Sequence, residues 1–306
     1  MNSEISKSAN NEDPRAVLKK KPVYCWQKMK TADIPAVRDL LRDNENFYVN
    51  ACARFIERQS AKEPVWLLRK KDGASIDIYN NIRALLISSK STVIPVLRGI
   101  DDFPPMDFLK GFLRKKMIHS VQGLKNEVFF LENEILKAGG KSADIIDYDL
   151  MSLDKPPNEI KKYPLDLVLC QPKMSDIDAV APLQAAYERE EVIPKGSVFN
   201  PAASRINISN IIAGWPVLAA RLNDRFVGKI NVSAVSFTRF QVGGVYVHPA
   251  FRGLGIAGKM TYEFISSLIE KGKGVTLFVK KNNIAARKLY IRLGFSFIGD
   301  YRITYY

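Results

Sequence analysis

Residues 241–260 have the sequence Gln241-Val-Gly-Gly-Val-Tyr-Val-His-Pro-Ala-Phe-Arg-Gly-Leu-Gly-Ile-Ala-Gly-Lys-Met260, which predicts a strand, a short loop and the start of a helix. Strand formers precede His248-Pro249, and apolar residues recur at helical spacing after the loop. A glycine-rich loop that opens a helix presents unpaired backbone N–H groups and the positive end of the helix dipole. We therefore expect an anion site here, usually for a phosphate, with Arg252 as an added charge.

One class of ligand for this loop is a dinucleotide. Gly253-Leu-Gly-Ile-Ala-Gly258 satisfies the pattern G-x-G-x-x-G. In dinucleotide-binding folds the first glycine follows the strand almost directly, and an acidic residue follows the next strand. Here His248 to Arg252 intervene, and the next predicted strand, 275–279, ends in Lys280-Lys281. Too few residues remain for a doubly wound sheet, so this interpretation fits poorly.

Two segments of the second half stand out, namely Arg252-x-x-Gly255-x-Ala257 in the loop and Asn283-x-x-Ala286-x-x-Leu289-Tyr290-x-x-x-Gly294-Phe295 near the end. Together they resemble the GNAT superfamily of acyl-CoA-dependent acetyltransferases. Arg252-x-x-Gly255-x-Ala257 is similar to the family's Q/R-x-x-G-x-G/A pyrophosphate loop. The segment Asn283-Ile-Ala-Ala-Arg-Lys-Leu-Tyr-Ile-Arg-Leu-Gly-Phe295 resembles the family's N-x-x-A-x-x-L-Y-x-x-x-G-F. Both occur in the family's order, and the resemblance covers residues 167–306. It implies an α/β (α+β) fold in which helices flank a mixed central sheet.

The resemblance also implies acetyl-CoA as co-substrate and assigns residues to it. The loop would hold the pyrophosphate, and the strand edge at Val245-Tyr-Val247 would pair with the pantetheine arm like an added strand. The Val247 N–H would contact the thioester oxygen, and Tyr290 would be the general acid that protonates the leaving thiolate. A purely structural role for the glycines and for Tyr290 is the alternative. The implied cofactor-binding residues are Val245, Tyr246, Val247, Arg252, Gly253, Leu254, Gly255, Ile256, Ala257 and Asn283.

The general base is not identified by these motifs. Many family members carry a Glu on the central strand, where this chain has Gly243-Gly244. We take Glu190 and Glu191, near the end of the first helix of this half, as candidates; their alternative is a solvated helix end. Other sources of a base stay open, namely His248, the carboxylate of Tyr306 and a chain of water molecules.

The composition excludes several classes of protein. The 306 residues are 46% hydrophobic and 25% charged, as in a globular protein, and Lys plus Arg outnumber Asp plus Glu by 46 to 32. The net charge of +14 suits an anionic partner such as CoA. Nucleic acid is an unlikely partner, since no zinc-ligand spacing or long basic arm is present. Three scattered cysteines favour neither disulfides nor a metal site and suit the cytoplasm, and the apolar runs are too short to span a bilayer.

The chain divides into two lobes in this interpretation. Residues 1–21 are predicted to be a disordered tail, residues 22–155 a degenerate GNAT-like domain, residues 156–164 a proline-marked linker, and residues 165–306 the catalytic domain. The two halves open alike, since Met29-Lys-Thr-Ala-Asp-Ile-Pro-Ala-Val37 parallels Lys173-Met-Ser-Asp-Ile-Asp-Ala-Val180. The pyrophosphate-loop pattern is absent from residues 22–155, so the first lobe is predicted to be a degenerate GNAT-like lobe that packs on the active one.

We therefore expect an acetyl-CoA-dependent N-acetyltransferase in which an amine attacks the thioester directly. The alternative from another class is a non-catalytic acyl-CoA-binding regulatory module, which the missing strand carboxylate favours. Nucleic-acid binding is a third hypothesis that rests on charge alone. The sequence leaves the amine acceptor, the acyl group and the oligomeric state open.

Overall fold

One mixed sheet of twelve strands runs through the described part of the protein, a computed structural model covering residues 24–57, 65–70, 81–89, 91–98, 106, 111, 118–194 and 196–306. The predicted tail, 1–21, lies outside these residues. The strands are β1 (Tyr24–Lys28), β2 (Val65–Lys70), β3 (Ile82–Ser89), β4 (Thr92–Leu97), β5 (Ser120–Leu124), β6 (Asp144–Leu153), β7 (Val168–Cys170), β8 (Val217–Leu222), β9 (Arg225–Val235), β10 (Arg239–Val247), β11 (Gly274–Lys280) and β12 (Ser296–Tyr305). Their order across the sheet is β1-β2-β3-β4-β5-β12-β6-β11-β10-β9-β8-β7.

The helices follow the same order in both halves. They are α1 (Ile34–Asp43), α2 (Val49–Glu57), α3 (Lys125–Lys137), α4 (Ile177–Tyr187), α5 (Pro201–Gly214), α6 (Ile256–Ile269) and α7 (Ile284–Leu293). A strand, two helices, three strands, helix α6, a strand, a helix and a strand make up the second half, which confirms the predicted order. The first half shows the same series in its described residues; the segment that corresponds to α6 lies largely outside them.

The two halves exchange their last strands. β6 lies between β11 and β12, with Tyr148 opposite Lys280 on one side and Tyr301 on the other. β12, the last strand of the second half, pairs in turn with β5 of the first half. Each half therefore completes the sheet of the other. The division of the chain at residues 156–164 stays a prediction, because one sheet runs through both halves.

Separate apolar cores lie against this sheet. In the second half, α6 and α7 pack on the sheet through a core that includes Val242, Ile265, Leu277 and Leu293. In the first half, α1 and α2 pack on β2, β3 and β4 through residues such as Leu41 and Leu85. No helix among the described residues combines the length and apolar character needed to cross a bilayer.

Two strands of the first half were not predicted from the sequence. β4 contains Pro95, which lacks the N–H that a strand ladder uses, and β5 contains Gly123. Both residues weaken the local strand signal. The two strands pair in parallel over Thr92–Ser120 and Val93–Val121, so their pairing across the sheet outweighs local propensity.

A buried carboxylate in the turn between α1 and α2 joins the two halves. Glu45, 5% exposed, accepts hydrogen bonds from the Thr238 N–H at 2.7 Å, from the Thr238 hydroxyl at 2.6 Å and from the Ser236 hydroxyl. These donors lie in the turn between β9 and β10. Since charge-assisted hydrogen bonds in buried surroundings are the strong ones, Glu45 fixes the first half against the hairpin that carries β10.

We predict that Glu45→Gln destabilises the protein by about 1–3 kcal/mol, because an amide offers one acceptor oxygen to three donors. Urea unfolding of the full chain measures this. Glu270→Gln, a change at an exposed position, should shift the midpoint much less. Equal midpoints for both variants would contradict the assigned role of Glu45.

A second buried carboxyl group, that of Glu127, links α3 to Tyr48 and to the end of β4. Oε1 of Glu127 accepts the Tyr48 hydroxyl at 2.6 Å and the Leu97 N–H at 2.8 Å, whereas its Oε2 is buried and has no hydrogen bond among the described residues. Burial raises the pKa of Glu127 to about 8, against the lowering effect of the two hydrogen bonds. The carboxyl group therefore keeps its proton in the folded protein at neutral pH.

This shift makes the stability depend on pH. The unfolded chain loses the Glu127 proton near its ordinary pKa of 4.5, and the folded chain only near 8. The stabilisation is therefore complete below the lower value and is lost as the pH rises through the higher one. We predict that Glu127→Gln becomes more stable than the wild type as the pH rises, by a few kcal/mol on the order of the shift. Urea midpoints across this range test it; a constant difference would contradict it.

Candidate active site

The central feature of the second half is an opening between two parallel strands. β10 and β11 pair from Arg239–Gly274 to Val242–Leu277, where the pairing ends. Immediately after this point β10 has a bulge against β9, and Gly244 takes a positive φ of 61°. A cavity of about 1140 Å³ opens there, lined by residues 243–247 of β10 and 277–280 of β11. The unpaired edge of β10 is thus available to an extended ligand.

The glycine-rich loop lies at one end of this cavity. Gly253 and Gly255 have positive φ values of 82° and 85°, and Gly255 is the N-cap of α6. The guanidinium of Arg252 donates through Nε to the Val247 carbonyl at 2.9 Å, which ties the loop to the end of β10. The loop therefore turns the N-terminus of a 14-residue helix towards the cavity, as an anion site requires.

The segment predicted as a linker lies against this loop. Asn158 bonds the Arg292 and Leu293 carbonyls at 2.9 Å each, so the segment is fixed to the end of α7. Ile160 is buried against Gly258, and a Cβ added to Gly255 would overlap the carbonyl oxygen of Lys162. Residues 159–162 therefore form a wall of the cavity. The prolines of this segment predict a boundary between the lobes and carry no signal for a binding role.

Helix α7 contributes two of the predicted residues. The side chain of Asn283 caps the helix by accepting the Ala286 N–H at 3.1 Å. Tyr290, 5% exposed, packs edge-on against Phe295 and lines the cavity. Burial raises the pKa of Tyr290 well above its ordinary value, and the nearby Tyr187 and Glu191 raise it further. The Tyr290 hydroxyl therefore holds its proton at neutral pH.

The two candidate carboxylates lie on a π-helical turn, Glu188–Val192, that follows α4. Glu190 accepts the Tyr246 hydroxyl at 2.7 Å and pairs with Arg252 at 2.8 Å. Partial burial raises the pKa of Glu190, but these two hydrogen bonds outweigh it and leave the pKa below its ordinary value. Glu191 instead contacts Lys280 and the Asn283 amide, each at 3.3 Å.

All thirteen residues predicted from the sequence for catalysis or cofactor binding line this one cavity. The other sources of a base lie elsewhere. His248 is exposed, caps the Pro249–Phe251 turn through Nδ1 and does not line the cavity. Tyr306 lies beside β5, where its N–H bonds the His119 carbonyl, and it does not line the cavity either.

Residues of both halves line the cavity. Asn50 and Arg54 of α2 and Gln122 of β5 line it together with three tyrosines, Tyr148, Tyr187 and Tyr305. Sequence reasoning missed these residues. None belongs to a local motif, because their role depends on how the two halves pack.

Comparisons with known proteins agree with this geometry. Residues 186–295 match the family model described as Acetyltransferase (GNAT) family. No curated protein matches the chain. Among solved structures, a Drosophila protein is similar with a TM-score of 0.64 and 11% identity, covering 92% of this chain and 98% of that one.

Two further structures are named as GNAT proteins. A GCN5-related N-acetyltransferase from Sphaerobacter thermophilus has a TM-score of 0.57 and 18% identity over 92% of this chain and 94% of its own. A tandem GNAT protein from the clavulanic acid biosynthesis pathway has a TM-score of 0.53 and 11% identity over 92% and 98%. These likenesses show the fold. Residues 186–295 of the second half are therefore similar to the GNAT acetyltransferase family, and the chain shares the fold of the solved GNAT proteins.

Proposed function

We propose that the protein transfers an acetyl group from acetyl-CoA to an amine by direct attack on the thioester. The observation that carries this proposal is the meeting of three elements in one cavity: a helix N-terminus with a glycine loop, an unpaired strand edge and a buried, protonated tyrosine. Acetyl-CoA supplies an activated acyl group together with phosphates. The basic loop fits phosphates, and the free edge of β10 fits the amides of the pantetheine arm.

Each residue then has a role. The Arg252–Ala257 loop binds the pyrophosphate, and the Val247 N–H donates to the thioester oxygen, where negative charge develops. The amine nitrogen forms the new C–N bond while the C–S bond breaks. Tyr290, whose hydroxyl is protonated at neutral pH, donates its proton to the leaving sulfur. The attacking amine needs a base to take its proton.

The structure favours Glu191 over Glu190 as this base. Glu190 is held by Tyr246 and Arg252, and its pKa is lowered, so it accepts a proton poorly. Glu191 is close enough to Tyr290 and Tyr187 to raise the pKa of both. It therefore lies near the acid, Tyr290. We assign the acceptor amine to the part of the cavity that Asn50, Arg54 and Gln122 of the first half line.

Acetyl-CoA binding and turnover by Tyr290→Phe test the reaction. We predict that the wild type binds acetyl-CoA in calorimetry and releases CoA when amines are added. Tyr290→Phe should bind with similar affinity and lose about 10²–10⁴-fold in kcat, because it removes only the proton donor. Tyr262→Phe on α6, outside the cavity, is the matched control and should keep kcat. Absence of acetyl-CoA binding by the wild type would contradict the proposal, and binding without amine-dependent release would favour a regulatory module.

Substitutions of Glu190 and Glu191 should have different effects on the steady-state kinetics. We predict that Glu191→Gln lowers kcat about tenfold or more with little change in the KM for acetyl-CoA, because it removes the base. Glu190→Gln should change mainly the KM for acetyl-CoA, since it frees Arg252 of its partner. Steady-state kinetics of both variants measure this, and equal effects on kcat would contradict the distinction.

A further inference from the structure

A buried lysine stands directly behind the opening of the sheet. Lys229 lies on β9, opposite Ala219 of β8 and Tyr246 of β10, and its exposure is 0%. Its Nζ donates to the Gly244 carbonyl at 3.0 Å and to Oδ1 of Asn231 at 3.1 Å. The ring of Tyr187 lies 4.7 Å from the same nitrogen. Fully buried lysines are rare unless they have such partners.

The lysine fills the space that a side chain on β10 would need. A Cβ added to Gly244 would overlap Asn231 Oδ1 and lie 2.7 Å from Lys229 Nζ. The pairing of β10 with β9 changes register here. Gly243 pairs with Asn231, but the next paired residue of β10 is Tyr246, which pairs with Lys229. One extra residue of β10 is therefore pushed out of the ladder, and the Gly244 carbonyl bonds the lysine. A buried carbonyl without a partner would be costly.

The bulge and the opening occur at the same place. The parallel pairing of β10 with β11 ends at Val242, one residue before the bulge begins. We propose that Lys229 is a positioning residue that holds β10 away from β11 by bonding the Gly244 carbonyl, and that it thereby keeps the edge at Val245–Val247 free for the acyl-CoA. This inference rests on the proposed function only in naming the ligand of that edge.

The charge of Lys229 couples this device to pH. Burial lowers the pKa of Lys229 to about 7, against the attraction of the Glu188 carboxylate. Glu188 is itself bonded by Gln184 at 2.8 Å and Asn207 at 3.1 Å. Among the described residues, Tyr187 from α4 faces the Lys229 amine, and Tyr246 of β10, whose hydroxyl bonds Glu190, is its cross-strand neighbour. Since a charged donor makes the stronger hydrogen bond, the bulge is held most firmly below the pKa of Lys229.

The first test uses the ligand-free protein. Hydrogen exchange is compared between the wild type, Lys229→Met, which keeps the bulk without the donor, and Lys229→Gln, which keeps a donor. We expect slower exchange at residues 243–247 in Lys229→Met alone, because β10 can then extend its pairing with β11. Unchanged exchange, or faster exchange throughout the second half, would overturn the proposal. Lys271→Met, at an exposed position at the end of α6, is the control for loss of one charge.

The second test measures acetyl-CoA affinity by calorimetry across neutral pH. The wild type should bind more weakly as the pH rises through about 7. Lys229→Met should bind at least tenfold more weakly, and Lys229→Gln should show less of the pH dependence. Wild-type affinity and pH dependence in Lys229→Met would overturn the proposal. If the wild type binds no acetyl-CoA, the proposed function fails while the exchange result still decides the role of Lys229.

Discussion

The exchange of β6 and β12 between the halves is the constraint on which the site depends. β6 carries Asp149, 4% exposed, into the second half, where it pairs with Arg287 at 2.5 Å and Lys281 at 3.0 Å. Both cations lie at the start of α7 or just before it. A buried carboxylate with two cationic partners fixes its surroundings firmly. The strand from the first half therefore orients the helix that carries Asn283 and Tyr290.

The two halves use the same series of elements with different chemistry. In the first half, the N–H of Leu97 at the end of β4 is already bonded by the Glu127 side chain. In the second half, β10 has a bulge after Val242, the last residue that pairs with β11, and the edge of β10 beyond it faces a cavity. In the first half, the Glu127 carboxyl group therefore occupies the end of β4. The first half contributes structural contacts to the second half. Glu45 bonds the β9–β10 turn, and Asn50, Arg54 and Gln122 line the cavity.

The sequence predicts those parts of the site that are local along the chain. The loop at Arg252–Ala257 and the helix from Asn283 are recognisable because a glycine turn and a helix cap impose residue types at fixed spacing. Lys229 carries no such signal, because a lysine in a strand is ordinary until its burial is known. The strand exchange is equally invisible, since the residues of β6 form a largely buried strand and do not specify which strands lie beside it. Pro95 weakens the strand signal of β4, so β4 was not predicted. The sequence of the candidate linker does not indicate that Ile160 packs on α6.

Strand order also sets when this protein can assemble during synthesis. On one side, the partner of β5 is β12, which spans residues 296–305. β12 is translated after every other described strand. Until then, the ribosome-bound first half exposes an unpaired edge, and β6 has neither of its neighbours complete. Such edges invite pairing with other chains. The first half cannot complete its sheet before β12 has been translated, so the cavity, which residues of both halves line, is complete only after that point.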